Sequence, residues 1–255
     1  MSTIKASAIF ASLTLVTVLA GCTNTGEFDM EKAAVVGLGV LQASTIDESS
    51  VKQTASLAAK EMDGKSRIAS ANSTYMRRLN KITKQFQGID GLTPNFKVYM
   101  SDDINAFAMA DGTVRVYSGL MDVMPDDEVA AVIGHELGHV KLRHSYKQMR
   151  ETLMTNSAFK AVESIGGTVG ALTQGQLGQL AYTAINARFS QQDELDADSY
   201  AVKRLSRMGR DPQAMARSIA TLERKAGGGE GGFLSSHPSN DQRLDNIHRR
   251  IDSLH

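Results

Sequence analysis

The chain has 255 residues, 42% of them hydrophobic, which is enough to bury one good-sized core or one domain with a tail. Lysine plus arginine and aspartate plus glutamate are balanced at 28 each, and no long basic run stands out. The composition therefore gives no electrostatic support to nucleic-acid binding.

The N-terminal segment has the pattern of an export signal. Lys5 supplies a positive start, and the apolar run over 6–20 ends in small residues. Cys22 follows directly and is the only cysteine in the sequence, so it cannot form an internal disulfide. The segment 1–21 resembles a bacterial lipoprotein signal peptide, which implies that Cys22 is lipidated and becomes the mature N-terminus. The alternative is an uncleaved signal anchor.

A lipid on Cys22 would anchor the mature protein to a membrane without spanning it. Thr23 stands where retained inner-membrane lipoproteins typically have aspartate, so the resemblance favours the outer membrane, with the rest of the chain facing the periplasm. Residues 22–50 are expected to form a tether with a short helix over Ala33–Leu41, and 51–255 the folded domain. The apolar stretch at Ala33–Ala43 is far shorter than the ~20 residues that a bilayer requires.

The folded region is predicted to begin with two helices and a strand, at Val51–Met62, Ser73–Phe86 and Phe96–Met100. Asp111-Gly112 then lies between two extended runs, Asn105–Ala110 and Thr113–Tyr117, which is a strong hairpin signal. We therefore expect a small antiparallel sheet directly before the next helix. Its edge could bind an extended peptide, or the hairpin could pack on the helix without touching any ligand.

A helix is predicted to follow Pro125, because Asp126, Asp127 and Glu128 place acidic side chains at the positive end of a helix dipole. Apolar residues then recur at spacings of three and four and give this helix a core-facing side: Val129, Val132, Ile133, Leu137 and Val140. The helix is therefore expected to be buried.

The same helix carries the pattern H-E-x-x-H. His135 and His139 are four residues apart, so they lie about 40° from each other on one helix face. Two imidazoles at this spacing can bind one tetrahedral zinc, and Glu136 can take a proton from water that zinc acidifies to a pKa near ~7. The pattern predicts metal-assisted hydrolysis. The alternative, a surface helix with two solvated histidines, conflicts with the core-facing side of the helix.

Beyond this motif the chain is predicted to be mainly helical. A flexible loop or lid is expected around Gly166, Gly167, Gly170, Gly175 and Gly178. Helices are predicted over 152–165, about Leu180–Met208, from Asp211-Pro212 onward and about Asn240–Ser253, with a glycine-rich linker at 227–232. The expected fold class is α+β and mainly helical.

A hydrolytic zinc site needs three protein ligands and one open position. A third histidine from an extended motif is absent, because Leu142 and Ser145 occupy the required positions. His144 is five residues past His139, about 140° around a helix, and is expected to be a solvated surface histidine. A cysteine ligand is excluded because the only cysteine is Cys22.

A carboxylate from a second helix is the remaining candidate. Glu194 and Asp198 are four residues apart and share one helix face. The first can bind zinc, while the second accepts the N–H of a ligand histidine and fixes its tautomer. Asp196 points elsewhere and is expected to be a solvated or structural charge. The alternative, a solvated acidic helix face, loses weight beside an intact H-E-x-x-H.

Three motifs together resemble the HtpX-like and CAAX-prenyl-endopeptidase-like zinc metallopeptidases: Ile133–His139, Glu194–Asp198 and Ser236–Ser239. The resemblance extends back through Asn105–Ala108 and Val114–Leu120, covers roughly Ser73 to the C-terminus, and is strongest to bacterial outer-membrane lipoprotein members. It implies a gluzincin-type domain that binds one Zn²⁺ per chain and hydrolyses polypeptides.

The resemblance also implies a role for each matching position. The zinc ligands would be His135, His139 and Glu194, with Glu136 as the base and Asp198 orienting a ligand. His237 matches a histidine that reaches the site and can stabilise the oxyanion. The substrate-side strand edge would be Asn105, Ala106 and Phe107, with Arg188 and Arg243 as structural supports.

The expected function is a zinc-dependent endopeptidase of the cell envelope that cleaves unfolded or misassembled proteins, alone or with envelope quality-control partner proteins. A non-proteolytic, lipid-anchored assembly or quality-control factor that binds outer-membrane proteins is the main alternative, although it would not need Glu136. A zinc amidase for small substrates is another, against which an open edge at Asn105–Met109 would argue. His237 follows a flexible linker, so it could also block the open zinc position at rest. No membrane helices or tetratricopeptide repeats are expected around this core, so prenylated and intramembrane substrates are disfavoured.

Overall fold

The computed structural model describes residues 46–156, 160, 172–225 and 232–254. The predicted signal peptide, Cys22, the predicted short helix at 33–41, most of the predicted helix at 152–165, the first three glycines of the predicted lid and the linker residues 227–231 lie outside this part. Among the described residues, no helix is both long and apolar enough to cross a membrane.

Helices dominate the described part, and three strands form one sheet. The helices are α1 Glu48–Lys65, α2 Thr74–Thr83, α3 Ser118–Val123, α4 Asp126–Lys141, α5 His144–Thr155, α6 Gln174–Asn186, α7 Gln191–Arg207, α8 Ala214–Lys225, α9 Phe233–Ser236 and α10 Asp241–Asp252. The strands are β1 Asn95–Tyr99, β2 Ala106–Ala108 and β3 Thr113–Tyr117, with 3₁₀ turns at Lys84–Phe86 and Ile89–Gly91. The predicted α+β, mainly helical class is confirmed.

The sheet has the order β1-β3-β2 and is mixed. β2 and β3 pair antiparallel as predicted, across a turn in which Gly112 adopts a φ of 89°. β1 pairs parallel to β3, so the prediction of a wholly antiparallel sheet is wrong for this strand. The hairpin signal determines only the β2–β3 pair, whereas residues 100–105 carry the chain past the end of β3 and leave β2 at the edge.

The sheet separates two apolar clusters, because successive residues of a strand point to opposite faces. Val114 and Val116 on one face belong to the same core as Ile133 of α4. Tyr99 and Phe107 on the other face pack with α1, α5 and α6. The motif helix is therefore buried against one face of the sheet, as its apolar spacing predicted.

The single long helix predicted over about Leu180–Met208 is wrong, since the structure has α6 and α7 with a break at 187–190. Ser190 begins α7 with a capping box, in which its side chain and backbone bond reciprocally with Asp193. The apolar residues keep a helical spacing on both sides of Ser190. The sequence pattern therefore did not reveal that a new helix starts there. Gly175 and Gly178 lie within α6, so their assignment to a flexible segment is also wrong.

Asp63, near the end of α1, joins that helix to the sheet. Its carboxylate accepts hydrogen bonds from Arg115 at 2.8 and 2.9 Å, from Lys97 at 2.6 Å and from Tyr99 at 2.8 Å. Burial raises the pKa of Asp63, but these three partners outweigh it and hold the pKa below its usual value.

Replacing Asp63 with alanine should lower the free energy of unfolding by about 3 kcal/mol at neutral pH, since the buried Arg115 loses its counter-charge. The folded-state pKa of Asp63 is depressed, so its contribution is present above the unfolded-state pKa and is lost as pH falls through the folded-state value. Urea unfolding should therefore show the deficit shrinking in acid. Asp245→Ala, at an exposed site, is the control, and an equal loss in both variants would contradict the account.

Candidate metal centre and active site

Two glycines let α7 approach α4 closely. A Cβ on Gly138 would lie 3.0 Å from the Cα of Ala197, and one on Gly134 would lie 3.4 Å from the Cβ of Ala201. These glycines are one turn apart on the face of α4 that meets α7. A larger side chain at Gly138 would push the helices apart, so this spacing brings the acidic turn of α7 beside the motif histidines.

His135, His139, Glu194 and His237 are buried and form one cluster, in which one nitrogen or oxygen atom of each lies within 4.8 Å of the others. The Nε2 atoms of His135 and His139 are 3.0 Å apart. Glu194 Oε1 lies 3.4 Å from His139 Nε2 and 3.0 Å from His237 Nδ1. Two helices, α4 and α7, and the residue that follows α9 thus direct nitrogen and oxygen atoms to one point.

This donor set fits a metal ion. His135 Nε2 faces His139 Nε2 at 3.0 Å and His237 Nδ1 at 3.3 Å, and a neutral imidazole has only one donor and one acceptor to satisfy such contacts. A cation would accept the facing lone pairs together, and nitrogen and carboxylate ligands suit a divalent metal. Burial also lowers the pKa of His139 well below its usual value, which keeps the imidazole neutral for metal binding.

Asp198 and Arg243 support the first motif histidine. His135 Nδ1 donates to Asp198 Oδ1 at 2.8 Å, and Arg243 donates to both oxygens of Asp198 at 2.7 and 2.8 Å. Arg243 is fully buried, and its Nη1 lies 2.7 Å from Glu194 Oε2. Burial raises the pKa of Asp198, but Arg243 and His135 outweigh it and lower the pKa. Arg243 therefore neutralises two buried carboxylates of the site.

Arg188, the other predicted support, is exposed and donates to the carbonyl of Ser235 at 3.1 Å. Arg188 thus contacts the segment that carries His237 but none of the cluster side chains.

Asp196 is exposed on α7, as the sequence predicted.

The prediction that His144 is a solvated surface residue is wrong. α4 ends at Lys141, and Arg143 adopts a left-handed backbone with a φ of 68°, so the chain reverses before α5 begins. The reversal places the His144 ring against His139, with 3.1 Å between their Nδ1 atoms. The prediction failed because it extended the helix past its end. Burial lowers the pKa of His144 and favours its neutral form.

Two phenylalanines that the sequence did not single out enclose the cluster. Phe189, from the break between α6 and α7, stacks on His139 with a centroid distance of 3.8 Å. Phe233 stacks on His237 at 4.3 Å. Phe189 also donates its backbone N–H to the carbonyl of Ser236 at 3.2 Å, so the α6–α7 break and the His237 segment are joined. A single aromatic residue in a loop, such as Phe189, or at the start of a four-residue helix, such as Phe233, has no spacing that reveals such a role.

Glu136 lies between the cluster and the sheet. Its Oε1 is 3.4 Å from His237 Nε2 and has no hydrogen-bond partner, although the residue is only 1% exposed. Burial raises the pKa of Glu136, against the opposing effects of His237, His135 and the backbone N–H of Ala108. A carboxylate with a raised pKa beside a metal cluster is suited to take up a proton.

A small cavity joins Glu136 to the edge of the sheet. β2 is an edge strand, and Asn105 directly precedes it. Ala106 and Phe107 are nevertheless only 1% and 4% exposed, so this edge is covered rather than open. The lining residues come from β2, α4, α5, α6 and the segments beside them: Phe107, Ala108, Met109, Glu136, Ser145, Gln148, Ala184, Ile185, Phe189 and His237.

A histidine pair with an adjacent glutamate on one helix, a carboxylate from a neighbouring helix and a sheet edge beside them define a metal-dependent peptidase. Residues 70–251 match the sequence profile of peptidase family M48, and the chain belongs to this family. The predicted family is thereby confirmed.

The chain is 42% identical over 248 residues to metalloprotease LoiP of Escherichia coli K12, covering 97% of both chains. It is 39% identical over 246 residues to metalloprotease YcaL of the same organism, covering 96% of this chain and 97% of that protein. The beta-barrel assembly-enhancing protease of Escherichia coli K12 is 29% identical over 170 residues, which are 63% of this chain and 35% of that protein. The protein is a metalloendopeptidase.

Proposed function

We propose that the protein is a zinc-dependent endopeptidase of the cell envelope that cleaves unfolded or misassembled polypeptides. The observation that carries this proposal is the buried convergence of His135, His139 and Glu194 next to Glu136. His135, His139 and Glu194 would hold one zinc ion per chain. When bound there, zinc would supply Lewis acidity to the attacking water and to the scissile carbonyl.

The protein's own residues then move protons and orient the ligands. Glu136 takes a proton from the attacking water and passes it to the leaving amine, for which a raised pKa is suited. Asp198 accepts the Nδ1 hydrogen of His135 at 2.8 Å and so leaves Nε2 free to bind metal. Arg243 keeps Asp198 ionised.

The proposed substrate is an extended polypeptide rather than a small amide, and the covered edge of β2 must open to admit it. β2 is an edge strand of the sheet, and its residues Phe107 and Ala108 line the same cavity as Glu136. A peptide that added to this edge would pass the base with its backbone held by main-chain hydrogen bonds. Ala184 and Ile185 of α6 line the cavity too, so entry of a peptide requires the end of α6 to move. The sequence-matched edge residues Asn105, Ala106 and Phe107 are the proposed substrate-binding residues.

His237 holds the site in a resting state in this proposal. Its Nδ1 lies 3.3 Å from His135 Nε2, among the cluster atoms, and its Nε2 lies 3.4 Å from Glu136 Oε1. With zinc bound to His135, His139 and Glu194, an imidazole held there would exclude the attacking water. After release it could donate to the oxyanion instead.

Replacing His237 with alanine is expected to raise the initial rate of casein cleavage several-fold and to weaken zinc binding, since the side chain that closes the site is removed. The measurement is the initial rate at saturating zinc, with Arg249→Ala, at an exposed position of α10, as the control. A fall in kcat of about 100-fold would contradict the resting-state role and assign His237 to the oxyanion.

The location and domain organisation are also proposals. A signal peptide at 1–21, lipid on Cys22, a tether at 22–50 and a catalytic domain at 51–255 would place the enzyme on the periplasmic face of the outer membrane. Support comes from the apolar run over 6–20, which is followed closely by the only cysteine of the sequence. The similarity to a relative named as a beta-barrel assembly-enhancing protease supports envelope proteins as substrates. Envelope quality-control proteins are the proposed partners.

Cleavage of unfolded casein by the full-length protein tests the function. Cleavage should stop when zinc is chelated and return when zinc is restored, while folded globular proteins of similar size should be cut far more slowly. Cleavage that persists without metal would contradict the proposal.

A further inference from the structure

We propose that His144 and Asp193 form a relay that fixes the tautomer and ring orientation of His139 and thereby sets the metal affinity of the site. This inference rests on the proposed function, because it assigns His139 as a zinc ligand. His144 and Asp193 are positioning residues, because neither belongs to the group of side chains that could bind the metal.

The two ring nitrogens of His139 face different partners. Nε2 points into the cluster, 3.0 Å from His135 Nε2 and 3.4 Å from Glu194 Oε1. Nδ1 points away from the cluster to His144 Nδ1 at 3.1 Å. An imidazole that binds metal through Nε2 carries its hydrogen on Nδ1, and this hydrogen needs an acceptor. His144 Nδ1 is positioned to be that acceptor.

The tautomer of His144 then follows. Because Nδ1 accepts, the hydrogen of the neutral ring must lie on Nε2, which is 3.4 Å from Asp193 Oδ1. The other oxygen of Asp193 is held by the backbone N–H and the hydroxyl of Ser190 in the capping box of α7. The relay therefore consists of a hydrogen bond from His139 to His144 and a 3.4 Å electrostatic contact from His144 to a carboxylate whose own position is fixed.

The first turn of α7 thus supplies two adjacent carboxylates with different tasks. Glu194 belongs to the proposed metal site, and Asp193 contacts His144. The two motif histidines are supported differently, because His135 donates directly to Asp198 whereas His139 reaches its carboxylate through a second imidazole. Phe189 stacks on one face of the His139 imidazole and covers it. The contact with His144 holds the imidazole in its plane.

Zinc affinity of the full-length protein tests the relay. His144→Ala should weaken zinc binding by about 10- to 100-fold, the usual effect of removing a group that orients a metal ligand. His144→Gln, whose amide oxygen can accept the same hydrogen, should recover most of the affinity. Lys147→Ala, exposed on the same helix, is the matched control and should leave affinity unchanged.

A double substitution tests the second link. Asp193→Asn, which retains an oxygen for the helix cap, should weaken zinc binding several-fold in the wild-type background and add nothing to His144→Ala. An additive effect in the double variant would overturn the relay, because Asp193 would then act by another route.

A spectroscopic measurement separates positioning from general stability. In the cobalt-substituted protein, the exchangeable Nδ1 hydrogens of His135 and His139 should each give a shifted NMR signal, and His144→Ala should abolish only the second by exposing it to exchange. Unchanged zinc affinity in folded His144→Ala, or two intact signals, would overturn the relay and leave the proposed function standing. If the wild-type protein binds no zinc, the relay and the proposed function are both wrong.

Discussion

Replacing Glu136 with glutamine is expected to lower kcat for unfolded casein by a factor of about 10² to 10⁴, the usual contribution of a positioned acid–base group. Glutamine has nearly the same shape, and Glu136 is not in the metal cluster, so zinc content and the unfolding transition should not change. The variant therefore isolates the proton transfer from folding and metal binding. Single-turnover rates and zinc per chain should be measured on the same preparation.

The matched control lies on the same helix. Glu128 is also buried in α4, 6% exposed, but lies two turns before the motif. Glu128→Gln should retain the turnover of the wild type. If Glu136→Gln cleaved casein as fast as the wild type, the assignment of the base would be wrong.

Replacing Arg243 with methionine is expected to lower the free energy of unfolding by about 3–5 kcal/mol, because two buried carboxylates lose their counter-charge. Asp198 and Glu194 are 0% and 2% exposed, and Arg243 contacts both at 2.7 Å. Zinc should be lost as well, since Asp198 would no longer hold His135. Urea unfolding of the metal-free protein gives the stability, and zinc titration gives the affinity.

The pH dependence provides a second check on Arg243. Burial raises the pKa of Glu194 and of Asp198, but His237, His135 and His139 outweigh it for Glu194, and Arg243 and His135 outweigh it for Asp198, so that both pKa values are lowered in the folded protein. Their stabilising contribution is therefore present above the unfolded-state pKa and is lost as pH falls through the folded-state values. The difference between wild type and Arg243→Met should be largest near neutral pH and shrink in acid.

Two further variants define the effect. Arg249→Met, at an exposed position on the same helix, should change stability by less than about 0.5 kcal/mol. Arg243→Lys keeps the charge but loses the planar fork that binds Asp198 through two nitrogens, so its effect should be intermediate. An Arg243→Met protein as stable as the wild type would show that the carboxylates have another source of compensation.

The parts of the site that depend on spacing within one helix could be predicted from the sequence. His135 and His139 share a face because they are four residues apart, and the same rule pairs Glu194 with Asp198. The rule cannot say that the two helices meet. That contact depends on Gly138, which lets α7 approach α4 more closely than a side chain at this position would allow.

The features that could not be predicted arise where helical periodicity stops. His144 faces His139 only because the chain reverses at Arg143, a residue with a left-handed backbone that has no strong sequence signal. The break at 187–190 brings Phe189 onto His139, although apolar spacing continues on both sides of it. The parallel pairing of β1 with β3 depends on a connection between distant strands, which a hairpin signal does not determine.

The zinc content of the purified full-length protein is the most direct test of the central claim. We expect one zinc per chain in the wild type, casein cleavage that follows zinc occupancy during chelation, and loss of both when Glu194 is replaced with alanine. A folded wild-type protein that binds no zinc, or that cleaves casein equally well without it, would contradict the assignment of this cluster as the catalytic centre.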